Sequence, residues 1–363
     1  EPVDPDAPGG VPQVIRTRTA ALYPEVTDEV LQDRARNPEH LELLRTMDVR
    51  SMVVVPLVAR GRTTGALGIM SSSSGRRYDA DDLTLAMELA RRAAIAIDNA
   101  RVFAERAAVA AALQRSLLPP ELPEVAGLEI AARYRPAQRG LDIGGDFYDV
   151  FRVANDSWCF VIGDVCGKGA DAAALTGAVR WTIRAVATRE LDPRRIIHIL
   201  NETLLAEQSH NRFCTVIVAI ATVGEGIVRL SVANGGHPPP LVRRAVGGVE
   251  RGSEGGMLVG TLSDIDVALD EFSLGPGDAV VLYTDGVTET RSGSDMFGED
   301  RLLELVEILD TWSASATAEA IERAVSNYQT GPVRDDLAVV VIRAPAPGDV
   351  IMSSTQEVAI SRS

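Results

Sequence analysis

Apolar and polar positions follow two rhythms along this chain. Between residues 83 and 118 there is neither Gly nor Pro, and Leu89, Ala93, Ala96, Ala100, Phe103, Ala107, Ala110, Leu113 and Leu117 recur at spacings of three and four. That is the period of one helical face, and a single helix of this length would run about 50 Å. Such a helix outruns any one small core, so its alanine-rich seam calls for a partner, and a homodimer through the linker helix is expected. Pro119, Pro120 and Pro123 end it, because proline cannot continue a helix and biases the residue before it toward extended backbone.

Beyond the prolines, short β-patterned runs take over at 128–136, 147–153, 158–163, 215–222, 226–233, 279–284 and 337–343. Helical periodicity returns at 170–188, 193–208, 300–309 and 316–328. Strands grouped around helix pairs, without strict βαβ alternation, predict an α+β fold in which antiparallel sheets are covered by helices. Upstream, an acidic helical stretch at 27–47 precedes SMVVVPLVARG and TTGALGIMSSSS, which read as hairpin partners. The opening EPVDPDAPGGVP has four prolines and two glycines and reads as a loop, while the Pro- and Ser-containing end after 344 reads as a flexible tail. The expected segments are therefore a half-domain at 1–82, a helical linker at 83–120, a main domain at 121–344 and a tail at 345–363.

Composition narrows the function. A length of 363 residues suits two domains, and 46% hydrophobic with 24% charged residues is ordinary for globular interiors. The net charge of −15, without any Lys/Arg block, opposes binding to a phosphate backbone, so no nucleic acid partner is expected. Cys159, Cys166 and Cys214 match no zinc spacing and cannot all pair, which fits free thiols in a reducing compartment. No run of about 18 apolar residues spans a membrane, and no leader pattern opens the chain. A cytoplasmic protein without a membrane partner is expected, and the start at Glu1 rather than Met leads to the further expectation of a fragment.

Four acidic motifs stand at the ends of apolar runs: IGGDFYD, FVIGDVCGKG, VVLYTDGVTE and VRDDLAVVV. They contribute Asp146, Asp164, Asp285 and Asp335, with Asp149 and Asp336 close by. Singly, each Asp is explained by turn chemistry, its side chain satisfying nearby backbone N–H groups. Together, at strand mouths flanked by Gly, they are held where carboxylates converge, and converging carboxylates do not all stay ionised without a cation. An all-oxygen donor set suits Mg²⁺ or Mn²⁺ rather than Zn²⁺. In the second motif Cys166 has no His base nearby in sequence and Lys168 reads as a solvent-facing cation. His237, in NGGHPPP, reads as a rigid hairpin corner.

The ordered set ALQRSLLPPELP, GGDFYDVF, GDVCGKGADAAA, ANGGHPPPLV, GPGDAVVLYTDGVTE and DDLAVVV, over about 113–343, resembles the bacterial metal-dependent (PPM-type) serine/threonine phosphatases. The branch it resembles is that of the sporulation stage II E phosphatase and the stress-response sigma-factor regulators. The resemblance implies an αββα sandwich of two antiparallel sheets flanked by helices, with two Mn²⁺ or Mg²⁺ ions at one end. It implies hydrolysis of phosphoserine or phosphothreonine on a phosphorylated protein substrate, an anti-sigma-factor antagonist of STAS type. The attacking group would be a metal-bridging hydroxide, with no covalent phosphoenzyme. Carried over by motif, Asp164 would bridge both ions, the Val165 carbonyl would bind one, and Asp146, Asp285 and Asp335 would complete the cluster, with Asp336 as a further ligand candidate. Gly144, Gly145, Gly163, Gly167 and Gly169 would let the backbone approach and turn there.

One departure concerns phosphate recognition. Animal relatives carry an Arg a few residues before the first metal Asp, where this chain has Leu141 and Asp142, leaving Arg133, Arg135 and Arg139 as substitutes. The first half-domain resembles the C-terminal part of a GAF sensor in SMVVVPLVARGRTTGALGIM and YDADDLTLAMELARRAAIAIDNARVF, its ligand pocket incomplete without the earlier strands. Two rival readings stay open. A degenerate phosphatase fold that only senses and recruits is opposed by the filled ligand positions, and a two-metal phosphodiesterase or nuclease by the acidic charge.

Overall fold

The computed structural model describes residues 10–35, 37–72, 74–137, 143–206, 212–224, 226–309, 313–331, 333, 335–349 and 355–358. The chain divides into two compact units, Glu1–Arg106 and Ala107–Ser363.

In the first unit, α1 (Gly10–Thr17), β1 (Ala21–Tyr23), α2 (Asp28–Arg34), α3 (Pro38–Thr46), β2 (Ser51–Ala59) and β3 (Arg62–Ser71) precede the long helix α4 (Ala80–Ser116). The predicted hairpin is present as β2 and β3, with β1 added at the other edge of β2 in a three-stranded antiparallel sheet. Val53 and Val55 of β2 pack against Ala86 and Ala90 of α4. The helix starts where the Asp79 carboxylate accepts the N–H groups of Asp81 and Asp82 at 2.9 and 3.0 Å, an N-terminal cap. It stops just short of the proline cluster, and its last ten residues belong to the second unit.

The second unit continues with β4 (Glu129–Arg135), β5 (Asp146–Arg152), β6 (Ser157–Val165), α5 (Ala170–Ala187), α6 (Pro193–Ala206), β7 (Cys214–Val223) and β8 (Val228–Gly235). Then come β9 (Leu241–Arg243), β10 (Val249–Arg251), β11 (Ala268–Leu274), β12 (Ala279–Tyr283), α7 (Asp285–Thr288), β13 (Arg291–Ser292) and β14 (Asp295–Met296). The last elements are α8 (Gly298–Ile308), α9 (Ala314–Tyr328), β15 (Leu337–Arg343) and β16 (Thr355–Val358). One sheet has the order β10-β9-β12-β15-β4-β16 and the other β11-β8-β7-β6-β5.

Both sheets are covered on both faces, and period-2 alternation makes each strand serve two cores. Along β6, Phe160 and Ile162 fill the space between the sheets, while Cys159 and Val161 face α5 and α6. Along β15, Val340 and Ile342 point into the sandwich, and Val339 and Val341 point to α8 and α9. Each fully buried aromatic or branched side chain contributes roughly 1.5–3 kcal/mol over its exposed state. The result is the expected αββα sandwich.

One piece of the expected tail has regular structure. Residues 355–358 form β16, paired in parallel with the free edge of β4. Four residues give no readable period, and the sheet edge supplies their strand pairing. The expected helix at 193–208 is α6 as far as Ala206, its end lying outside the described residues.

Candidate metal centre

Strand pairing assembles the acidic residues at one end of the sandwich. Asp146 opens β5 and Asp164 lies near the end of β6, and the antiparallel register sets these two directly opposite each other. In the other sheet Asp285 follows β12 and Asp336 precedes β15, two strands that are also antiparallel neighbours. The two sheets are tied together here by Thr284, whose hydroxyl donates to Asp146 Oδ2 at 2.6 Å and accepts the Ala338 N–H at 2.9 Å.

Asp146, Asp164 and Asp285 each offer an oxygen within 4.8 Å of the others. Asp336 is buried beside them, its carboxylate accepting the Ala137 N–H at 2.7 Å and the Tyr134 hydroxyl at 3.1 Å. Asp335 stands outside the trio, 54% exposed and 3.4 Å from the Lys168 ammonium. Val165 is buried next to Gly145, with its N–H donating to the Gly145 carbonyl at 3.2 Å. A Cβ on Gly145 would overlap Asp164 Oδ1 and the Val165 carbonyl, and one on Gly144 would overlap the Asp336 carboxylate. Both glycines are therefore required by close approach.

Electrostatics show what such a cluster lacks. Burial, reinforced by Asp285, Asp335 and Asp336, pushes Asp164 up to about 8. Burial and then Asp335 push Asp285 up to about 6. Asp146 is raised well above the carboxylate range by burial and then by Asp164. Such groups release their protons readily only when positive charge arrives. The donors are carboxylates, with no thiolate or imidazole among them, which fits Mg²⁺ or Mn²⁺.

A sequence profile of Stage II sporulation protein E (SpoIIE) matches residues 154–345, more than half of the chain. The chain belongs to the SpoIIE family. A GAF-domain profile matches residues 1–97, so a SpoIIE-family domain follows a GAF domain. Among curated relatives, the Phosphoserine phosphatase RsbU of Bacillus subtilis is 26% identical, the match covering 65% of this chain and 69% of RsbU. Protein IcfG of Synechocystis is 27% identical, over 63% of this chain but only 40% of IcfG. Among solved structures, the PP2C domain of SpoIIE from Bacillus subtilis with a fragment of its regulatory domain superposes with a TM-score of 0.53 at 18% identity, covering 61% of this chain and 64% of that one. The SiaA-PP2C domain of Pseudomonas aeruginosa gives 0.55 at 19% identity, covering 68% and 98%. These two likenesses establish the shared fold.

Within this SpoIIE-family domain, two expected substitutes for the phosphate-binding Arg point elsewhere. Tyr134 occupies the inner face of β4, so its neighbours Arg133 and Arg135 face outward, where Arg133 pairs with Glu322 at 3.6 Å and Arg135 bonds Gln329 at 3.3 Å, both partners on or beside α9. Arg139, Leu141 and Asp142 lie outside the described residues. Asp149 is likewise separate from the cluster. Three residues after Asp146 on a strand, it faces the helix side, where Arg180 and Arg184 of α5 hold it at 3.1 and 2.6 Å. His237 is buried, bonded through Nδ1 to the Thr215 hydroxyl at 2.8 Å, and burial lowers it to about 3. It stays neutral in the link from β8 to β9, which are strands of different sheets, so the expected hairpin corner is instead a crossover between the sheets.

Sequence reasoning missed Thr284, Tyr134 and Gln114, all polar and buried around the cluster. Thr284 had a faint signal as the hydroxyl directly before Asp285, whereas Tyr134 and Gln114 look like ordinary members of a strand and a helix.

Metal removal has a pH-dependent consequence. Asp164 and Asp285 lie above the ordinary 3.8, so the folded metal-free state holds more protons than the unfolded one. That contribution is complete below about pH 4 and is lost as pH rises through 6 to 8. Calorimetry of chelator-treated protein is expected to show a melting temperature falling between pH 5 and pH 8. Mn²⁺ at 100 times its dissociation constant adds about 2.7 kcal/mol, or roughly 5–10 °C for a domain of this size, and at one fixed Mn²⁺ concentration the rise is larger at pH 8, where fewer protons compete for the carboxylates. A melting temperature indifferent to both pH and Mn²⁺ contradicts this picture.

Proposed function

We propose that this chain is a metal-dependent phosphoprotein phosphatase acting on phosphoserine or phosphothreonine. The observation that carries the reading is the meeting of Asp146, Asp164 and Asp285, from three chain segments, within 4.8 Å at one end of a PP2C-type sandwich. In this reading Asp164 and the Val165 carbonyl would hold a pair of Mn²⁺ or Mg²⁺ ions together with Asp146, Asp285 and Asp335, with Asp336, hydrogen-bonded to Tyr134 and Ala137, as the further candidate. When bound, the ions supply Lewis acidity toward phosphoryl oxygens and acidify water. The chain itself contributes preorganisation. Thr284 fixes Asp146, Gly144 and Gly145 admit the backbone to the centre, and the exposed Lys168 adds positive charge at the rim beside Asp335.

The proposed substrate is a STAS-type anti-sigma-factor antagonist, as the family resemblance implies, with phosphoserine chemistry supported by the likeness to the Phosphoserine phosphatase RsbU and control exerted through α4. Leu85, Leu89 and Phe103 on α4 are exposed apolar residues, which supports a homodimer along that helix. Among the described residues no helix is long and apolar enough to cross a membrane. The three free cysteines, two of them buried, support a cytoplasmic setting.

The test sets a phosphorylated STAS protein beside single-stranded DNA and a phosphodiester, each with Mn²⁺ and with chelator. Expected are Mn²⁺-dependent release of phosphate from the protein alone and sedimentation of the enzyme as two chains. Cleavage of DNA in preference to the phosphoprotein favours the phosphodiesterase, and Mn²⁺ binding without any turnover favours a recruiting module.

A further inference from the structure

A buried chain of hydrogen bonds leads from the last turns of α4 to the acidic cluster. Gln114, two residues before the end of the helix, is buried with its side chain directed into the main domain. Its Oε1 accepts the Gly144 N–H at 3.1 Å, and its Nε2 donates to the Tyr134 hydroxyl. Tyr134 is fully buried, and its hydroxyl donates to Asp336 Oδ2 at 3.1 Å.

Chemistry fixes the direction of each bond. A backbone N–H only donates, so the amide atom facing Gly144 is the oxygen and the one facing Tyr134 is the nitrogen. The tyrosine oxygen accepts from that nitrogen, which leaves its own proton for the Asp336 carboxylate. One amide therefore grips two structures at once. The first is the Gly144-Gly145 entry to β5, which delivers Asp146. The second is Tyr134, which orients the carboxylate lying over Gly144. Leu117 and Ala110 of the same chain segment pack with Ile143 and Ala173 around this entry, so the amide is held in place by packing as well.

We infer that Gln114 is a positioning residue for the metal centre, setting divalent-ion affinity through Gly144 and the Tyr134–Asp336 pair. This rests on the phosphatase reading only for the identity of the ions. An apolar replacement leaves the Gly144 N–H and the tyrosine hydroxyl buried without their partner, and both relax to other positions. Partners that orient a metal's ligands typically change affinity by about 10–100-fold when removed.

The experiment measures Mn²⁺ binding to the full chain by the electron paramagnetic resonance signal of free Mn²⁺, alongside phosphopeptide hydrolysis at graded Mn²⁺. Gln114→Met and Tyr134→Phe are each expected to weaken Mn²⁺ binding about 10–100-fold and to raise the Mn²⁺ needed for half-maximal hydrolysis equally. At saturating Mn²⁺, kcat stays within about threefold. The double variant is no worse than the worse single one, because both cut the same chain. Tyr134→Phe removes a single hydroxyl and serves if Gln114→Met does not fold. Folded variants that bind Mn²⁺ as the wild type does overturn the inference. Wild type that binds Mn²⁺ without hydrolysing phosphopeptide, with both variants weakened, leaves the positioning role standing and removes the phosphatase. Wild type that takes up no Mn²⁺ removes both.

Discussion

Asp164→Ala is expected to lower Mn²⁺-dependent hydrolysis of a phosphoserine peptide by about three orders of magnitude or more. Metal-assisted charge stabilisation contributes several kcal/mol, and each 1.4 kcal/mol is about tenfold in rate. Asp164 faces Asp146 across the β5–β6 pair and feels Asp285, Asp335 and Asp336. No neighbouring group replaces it. Removing it also relieves carboxylate repulsion, so metal-free Asp164→Ala should melt at or above the wild-type temperature while gaining far less from added Mn²⁺. That combination separates loss of a ligand from loss of the fold. Wild-type turnover in this variant would falsify the assignment of the centre.

The second large effect lies outside the centre and concerns stability. Asp149 is 1% exposed and is shared by Arg180, 8% exposed, and Arg184, 31% exposed. Arg180 also donates to the Leu117 carbonyl just after α4, and the Arg184 guanidinium lies 4.5 Å from the Phe151 ring centroid. Asp149→Ala leaves two cations facing each other in a largely dry site. Breaking a buried pair in this way costs about 3–5 kcal/mol, or roughly 6–20 °C in melting temperature for a domain of this size. Replacing all three together by apolar residues of similar volume should recover most of the loss. Chemical denaturation reads the result as a lowered midpoint, and an unchanged midpoint for Asp149→Ala removes the buried-pair account.

The contrast between Asp146 and Asp149 carries a general lesson about this domain. They sit three positions apart in one strand and look alike in sequence. Alternation sends one toward the other carboxylates and the other toward α5, where it meets two arginines. The same rule turns Tyr134 inward to the centre and Arg133 and Arg135 outward to α9. Those arginines are thereby committed to structural partners, whereas Lys168 stands beside the acidic residues, 3.4 Å from Asp335.

Local pattern alone was enough for the α4 helix, the two-sided strands, the helix pairs and the acidic motifs at strand ends, because each reflects periodicity or turn chemistry within a few residues. It was also enough to nominate Asp146, Asp164 and Asp285, though only alongside Asp335, Asp336 and Asp149, from which it did not separate them. Chain pairing decided the rest. The short strands β9, β10 and β16 exist because a neighbouring edge completes their hydrogen bonds, and nothing in so few residues announces that. The roles of Thr284, Tyr134 and Gln114 depend on partners at separations of 138, 202 and 30 residues, which no local window contains. Which carboxylates share a dry pocket, and which instead meet an arginine, was likewise settled only when two sheets closed face to face and excluded water between them.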